Sequence, residues 1–135
     1  MEFYSHKDTF LKDHLKEVAK RSKNYFYFKG GDDLKLISYY IGLSHDFGKY
    51  TTFFQKKLFD DSFKSKYSDH SLISSLFSYF LIQKNLEKFN IDGEIKKFLS
   101  LISFFVVIHH HTDLRCLDYL SSILENEENL DKINN

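Results

Sequence analysis

No proline interrupts the 135 residues, and only five glycines do. A chain without proline and nearly without glycine lacks the residues that punctuate turn-rich β folds, and it favours long helices. Its apolar residues recur at helical spacing. Phe10, Leu11, Leu15, Val18 and Ala19 predict a helix over about Lys7 to Asn24, with Lys12, Lys16, Lys20 and Lys23 on the opposite face. Gly30-Gly31 breaks the chain, and Asp32 or Asp33 can cap a second helix running to about Phe47. Thr51 or Thr52 can cap a short third helix through Phe53, Phe54, Leu58 and Phe59. A polar, lysine-rich loop over 60–68 leads to a fourth helix from Ser71 to about Phe89. A fifth, Glu94 to about His110, is apolar nearly all round and is expected to be the central buried helix. Thr112 or Asp113 can start a sixth through Leu114, Leu117, Leu120 and Leu124, before an acidic, polar end. The expectation is one all-α domain over residues 1–135, a compact bundle of five to six helices with the second and fifth at its centre.

Composition limits the partners. Nineteen basic residues balance nineteen acidic ones, so affinity for nucleic acid must come from local patches. A single cysteine, Cys116, rules out an internal disulfide and fits a reducing compartment. Met1-Glu2-Phe3 opens no signal peptide, and the longest apolar run, Phe98 to Ile108, is too short to span a bilayer. A cytoplasmic protein without membrane contact is expected.

The chemistry gathers at helix ends. Ile41-Gly42-Leu43-Ser44-His45-Asp46-Phe47-Gly48-Lys49-Tyr50 places an imidazole, a carboxylate and an amine within five residues. His14 lies on or beside the buried stripe of the first helix, and His70 at the mouth of the fourth. His109-His110-His111 ends the fifth. A single histidine on an apolar face is more often a satisfied core residue than a ligand. Three imidazoles ending the most apolar helix are costly to desolvate without partners, and neutral imidazole is the commonest nitrogen ligand of transition metals. His14, His45, Asp46, His70, His109 and His110 together offer five imidazoles and one bridging carboxylate, a set that suits two nearby metals. His45 and His109 are expected to face each other across the core.

The order His … His-Asp … His … His-His resembles the HD superfamily of metal-dependent phosphohydrolases. The surrounding residues are similar to one branch, the HD nuclease domain of type I CRISPR interference, which occurs fused to a helicase or alone. These are Asp13-His14-Leu15, His45-Asp46-Phe47-Gly48-Lys49 followed by Phe54-Gln55, Asp69-His70-Ser71, and His109-His110 followed by Asp113-Leu114. The resemblance spans residues 6 to 120. It implies an HD-domain helical bundle and metal ligation by His14, His45, Asp46, His70, His109 and His110, with Asp46 as the bridge. It places Lys49 beside the scissile phosphate as a catalytic residue with Asp46. It implies cleavage of single-stranded DNA by two-metal phosphodiester hydrolysis, with a helicase and a crRNA-guided surveillance complex as partners. One or two divalent ions are implied, and the imidazole-rich set prefers Mn, Ni, Co, Fe or Zn over Mg. His6 and His111 have no counterpart and fall among supporting or surface residues. The family's further aspartate lacks a match in context, although Asp118 and Asp131 are available. Either the site is completed differently, or the chain is the N-terminal part of a longer protein.

Lys56, Lys57, Lys64 and Lys66 interleave with aromatic residues after the motif and are candidates for holding DNA. Their bland reading is a solvated face over core phenylalanines. Two other readings fit the same residues: a nucleotide phosphohydrolase or cyclic-nucleotide phosphodiesterase, which needs a closed base-reading pocket, and a non-catalytic HD docking module.

Overall fold

The structure, a computed structural model, describes residues 2–25 and 31–111. Among the described residues, five α-helices carry the fold: α1 (Leu11–Tyr25), α2 (Asp32–Ser44), α3 (Thr52–Phe59), α4 (Ser71–Asn85) and α5 (Gly93–Ile108). Short 3-10 turns at Phe47–Tyr50, Lys66–Ser68 and Leu86–Lys88 join them. The expected mostly helical architecture is present. The expected sixth helix, with Asp113, Cys116 and Asp118, lies outside the described residues, as does Asp131.

The N-terminus departs from expectation. The first helix begins at Leu11, because Tyr4–His6 (β1) and Thr9–Phe10 (β2) form a small antiparallel hairpin around Lys7-Asp8. The Gln55 side chain holds that hairpin to the body. Its Oε1 accepts from the Tyr4 N–H at 3.0 Å, and its amide nitrogen donates to the carbonyls of Tyr4 and Lys49, each at 2.8 Å. One amide thus satisfies backbone groups of β1 and of the 3-10 turn that follows Asp46.

Side chains cap α3 and α5, whereas α2 starts at Gly31 with no side-chain cap, so the expected cap by Asp32 or Asp33 is corrected. Thr51 Oγ1 accepts from the Phe54 N–H, and Asp92 Oδ1 accepts from Glu94 and Ile95. Asp69 accepts from the Ser71 N–H at the start of α4. The helices pack as two pairs, α1 on α2 and α4 on α5, and α4 against α2 joins the pairs. One core cluster gathers Ile37, Ile82, Phe89 and Leu99, and a second gathers Leu72, Phe104 and Ile108. Ser74, Ser75 and Ser78 of α4 and Ser103 of α5 are fully buried.

The expectation of α5 as the central buried helix is corrected. Ile95, Phe98, Leu101, Ile102 and Val106 are exposed on it. An apolar sequence on all sides leaves the buried face undetermined, and here only the face toward α4 and the core is covered.

Two glycines set the close approaches. A Cβ on Gly42 would lie 2.8 Å from Ser22 Oγ and 2.9 Å from the Ala19 Cα, so its absence lets α1 and α2 touch backbone to backbone. A Cβ on Gly48 would lie 2.4 Å from the His70 carbonyl oxygen. Its N–H donates to Ser74 Oγ at 2.9 Å, seating the 3-10 turn on α4. Gly42→Val should therefore destabilise the fold by about 1–3 kcal/mol, the ordinary cost of overpacking. Denaturant unfolding measures this; an unchanged midpoint would show that α1 and α2 do not meet at this point.

Candidate metal centre

The close α1–α2 contact brings His14 toward His45. The seating of Gly48 on the start of α4 brings His70 toward Asp46. The chain leaves α5 at Ile108, and the turn over 109–111 swings in two more imidazoles. Asp46 stands at the middle, only 2% exposed.

Its two oxygens face different partners. Oδ2 lies 3.1 Å from His14 Nε2, 3.3 Å from His45 Nε2 and 2.7 Å from Lys49 Nζ. Oδ1 lies 3.0 Å from His70 Nε2, 3.2 Å from His110 Nε2 and 4.0 Å from His111 Nε2. Two donor groups result: His14, His45 and Asp46 form one, and Asp46, His70, His110 and His111 form the other. Each could hold a metal ion, and Asp46 belongs to both.

The proton positions favour a cation. His45 Nδ1 lies 2.7 Å from the Gly42 carbonyl, and His110 Nδ1 lies 2.5 Å from the Val107 carbonyl. A carbonyl only accepts, so both Nδ1 atoms carry hydrogen. In the neutral rings, each Nε2 then turns a lone pair toward a carboxylate oxygen. Two acceptors facing at 3.2–3.3 Å repel unless each ring takes a second proton or a cation lies between them. His70 Nε2 is buried and makes no hydrogen bond, despite its 3.0 Å separation from Asp46. The spacing also fits, because donors about 2.1 Å from one ion and at right angles to it stand about 3.0 Å apart. The donor set therefore suits a bound metal.

Burial alone would raise the pKa of Asp46. His110, His45, His70 and Lys49 outweigh it and hold the carboxyl far below the usual carboxylate range. Burial lowers the pKa of His14, and the neighbouring His45 adds to this against the pull of Asp46. Burial, with His110 and His70 beside it, likewise lowers that of His111. Lys49 is buried at 5% exposure, paired with Asp46, and its ammonium stands 5.3 Å from the Phe54 ring centroid. Phe54 in turn meets His70 edge-on at 5.1 Å.

The structure brings together His14, His45, Asp46, His70 and His110 from the sequence-derived ligand set. His109 is buried outside both donor groups, and His111 enters in its place. The ring facing His45 is His110, with centroids 5.5 Å apart. Three consecutive histidines announce a pair without saying which pair, since the choice depends on where the helix ends. His6 is exposed, its ring edge-on to His14 at 5.6 Å.

Lys56, Lys57, Lys64 and Lys66 are all exposed on α3 and the loop after it. Lys56 stands over Phe63 and Lys66 over Tyr67, while Lys57 and Lys64 line a hollow with Phe63 and Ser68. Among the described residues, no helix is long and apolar enough to cross a membrane.

Compared with protein-family models, curated proteins and solved structures, the chain matches none.

Lowered histidine pKa values fix the sign of a pH effect. The fold holds His14 and His111 neutral, so each contributes stability that is complete above the unfolded value near about 6.5. That contribution is lost as pH falls through the lower folded value. NMR titration of the metal-free protein should show both rings half-protonated below about pH 6.5. Titration of His14 above that value would contradict the site's geometry.

Proposed function

We propose that the protein is an HD-type, metal-dependent nuclease that cleaves single-stranded DNA by phosphodiester hydrolysis in CRISPR interference. One observation carries this reading: the buried carboxylate of Asp46 divides its two oxygens between two sets of imidazoles. A carboxylate so placed can bridge two ions, and the histidine order in the sequence is that of the HD nucleases. Bound divalent ions supply an activated water and charge stabilisation at a phosphoryl oxygen. The nitrogen-rich donors favour Mn, Fe, Co, Ni or Zn over Mg.

The chain's own residues supply the rest. His70, His110 and His111 hold the Oδ1 side, and His14 and His45 hold the Oδ2 side. Lys49 presents a desolvated ammonium at the rim of the same cluster, where it can stabilise charge growing on a phosphate. Phe54 borders both Lys49 and His70. The exposed lysines of α3 and its following loop can contact phosphates while Phe53, which is exposed, offers a face to a base. A helicase and a crRNA-guided surveillance complex are the partners this reading calls for.

Incubation with labelled single-stranded DNA in Mn²⁺, Ni²⁺, Mg²⁺ or EDTA tests the activity. Cleavage is expected with transition metals and none with EDTA. Asp46→Ala should lose both metal and cleavage, while Lys49→Ala should keep metal and lose about 10²–10³ in rate. Asp46→Ala with full activity, or turnover of nucleotides in place of DNA, would overturn the assignment.

The two sides are unequal. Oδ1 faces three imidazoles, whereas Oδ2 faces two and shares its place with the Lys49 ammonium at 2.7 Å. Calorimetric titration should show one tight event and a much weaker second. Lys49→Met, which removes the competing cation, should tighten the second by about tenfold or more. Two equally tight events, or a second event indifferent to Lys49→Met, would show that the lysine does not compete.

A further inference from the structure

His6 is an imidazole that the metal centre leaves unassigned. It stands outside both donor groups, exposed at the end of β1, with its ring edge-on to His14 at 5.6 Å between centroids. That separation matches pairs of rings within one donor group. His14 and His45 stand 5.2 Å apart, His70 and His111 5.4 Å, and His70 and His110 5.7 Å. The side that His6 approaches is the poorer one. His14 and His45 serve the Oδ2 side, whereas His70, His110 and His111 serve the Oδ1 side.

The hairpin fixes where His6 stands and which nitrogen it offers. Gln55 ties Tyr4 to the Lys49 carbonyl, so β1 is held to the turn that follows Asp46. Ser5 is buried, and its Oγ donates to the Thr9 carbonyl at 3.3 Å. A hydroxyl has one hydrogen, so toward His6 Nδ1, 3.2 Å away, the same Oγ accepts. Nδ1 therefore carries the ring hydrogen, and in the neutral ring Nε2 keeps its lone pair. His45 and His110 are prepared in the same way, with Nδ1–H bonded to an oxygen of the chain and Nε2 left for a ligand. Exposure leaves the His6 ring room to turn about its side-chain bonds toward the Oδ2 side.

We propose that His6 supplies the third imidazole of the Oδ2 side, so that each oxygen of Asp46 serves a site of three histidines. The proposal rests on the metal centre of the reading above and is independent of what that centre cleaves.

Titration of the full chain with Zn²⁺ tests it. In calorimetry, His6→Ala should leave the first, tight event unchanged and weaken the second by about tenfold or more. The unchanged first event shows that the variant is folded. In imidazole nitrogen NMR, metal-free His6 should show the Nδ1–H tautomer. Its Nε2 resonance should then shift with the second equivalent of Zn²⁺, together with those of His14 and His45. A second event that is absent from the parent protein, or indifferent to His6→Ala, would overturn the proposal and leave the metal centre standing. So would a His6 resonance that stays still while those of His14 and His45 move. Equal weakening of both events would also overturn it, because His6 would then act through the fold. No Zn²⁺-dependent shift of His14, His45 or His70 would overturn the metal centre itself, and this proposal with it.

Discussion

A single buried carboxylate organises this protein. Asp46 is almost wholly removed from water, and a lone ion there would be prohibitively costly. It is tolerated because Lys49 and four close imidazoles converge on it from α1, the end of α2, the start of α4 and the turn after α5. Each element ends or bends where its side chain can reach that one group. Removing the carboxylate would leave Lys49 buried without its counter-ion, a defect that typically costs about 3–5 kcal/mol.

The supporting structure follows from that requirement. Gly42 and Gly48 carry no side chain, yet each is small where a Cβ would push against Ala19 and Ser22 of α1 or against the His70 backbone. Gln55 spends its whole amide on backbone groups of β1 and the turn after Asp46. The Nδ1 atoms of His45 and His110 bond to carbonyls one turn back in their own segments, which fixes their rings and leaves Nε2 facing inward. This is the arrangement expected of histidines oriented for metal.

Much of this was legible in the sequence, because helix periodicity and caps are local. The absence of proline, the cap at Thr51 and the apolar runs pointed to the helices. The adjacent His45-Asp46 and the isolated His14 and His70 pointed to one site. What was not legible depended on tertiary packing. The hairpin before Leu11 exists because Gln55, more than forty residues later, pairs with it. The exposed face of α5 could not be told from its buried face in a run that is apolar on every side. That His111, and not His109, stands in a donor group with Asp46 depends on the helix ending at Ile108.

Asp46 divides its carboxylate between two imidazole sets, each of which could hold a metal ion. Anomalous diffraction from crystals grown with Mn²⁺ or Ni²⁺, collected at the absorption edge of the metal, examines this directly. A strong peak is expected within about 2.0–2.3 Å of Asp46 Oδ1 and of the Nε2 atoms of His70 and His110. A weaker peak is expected on the Oδ2 side, near His14 and His45. A metal-loaded crystal with no peak touching Asp46 would contradict it.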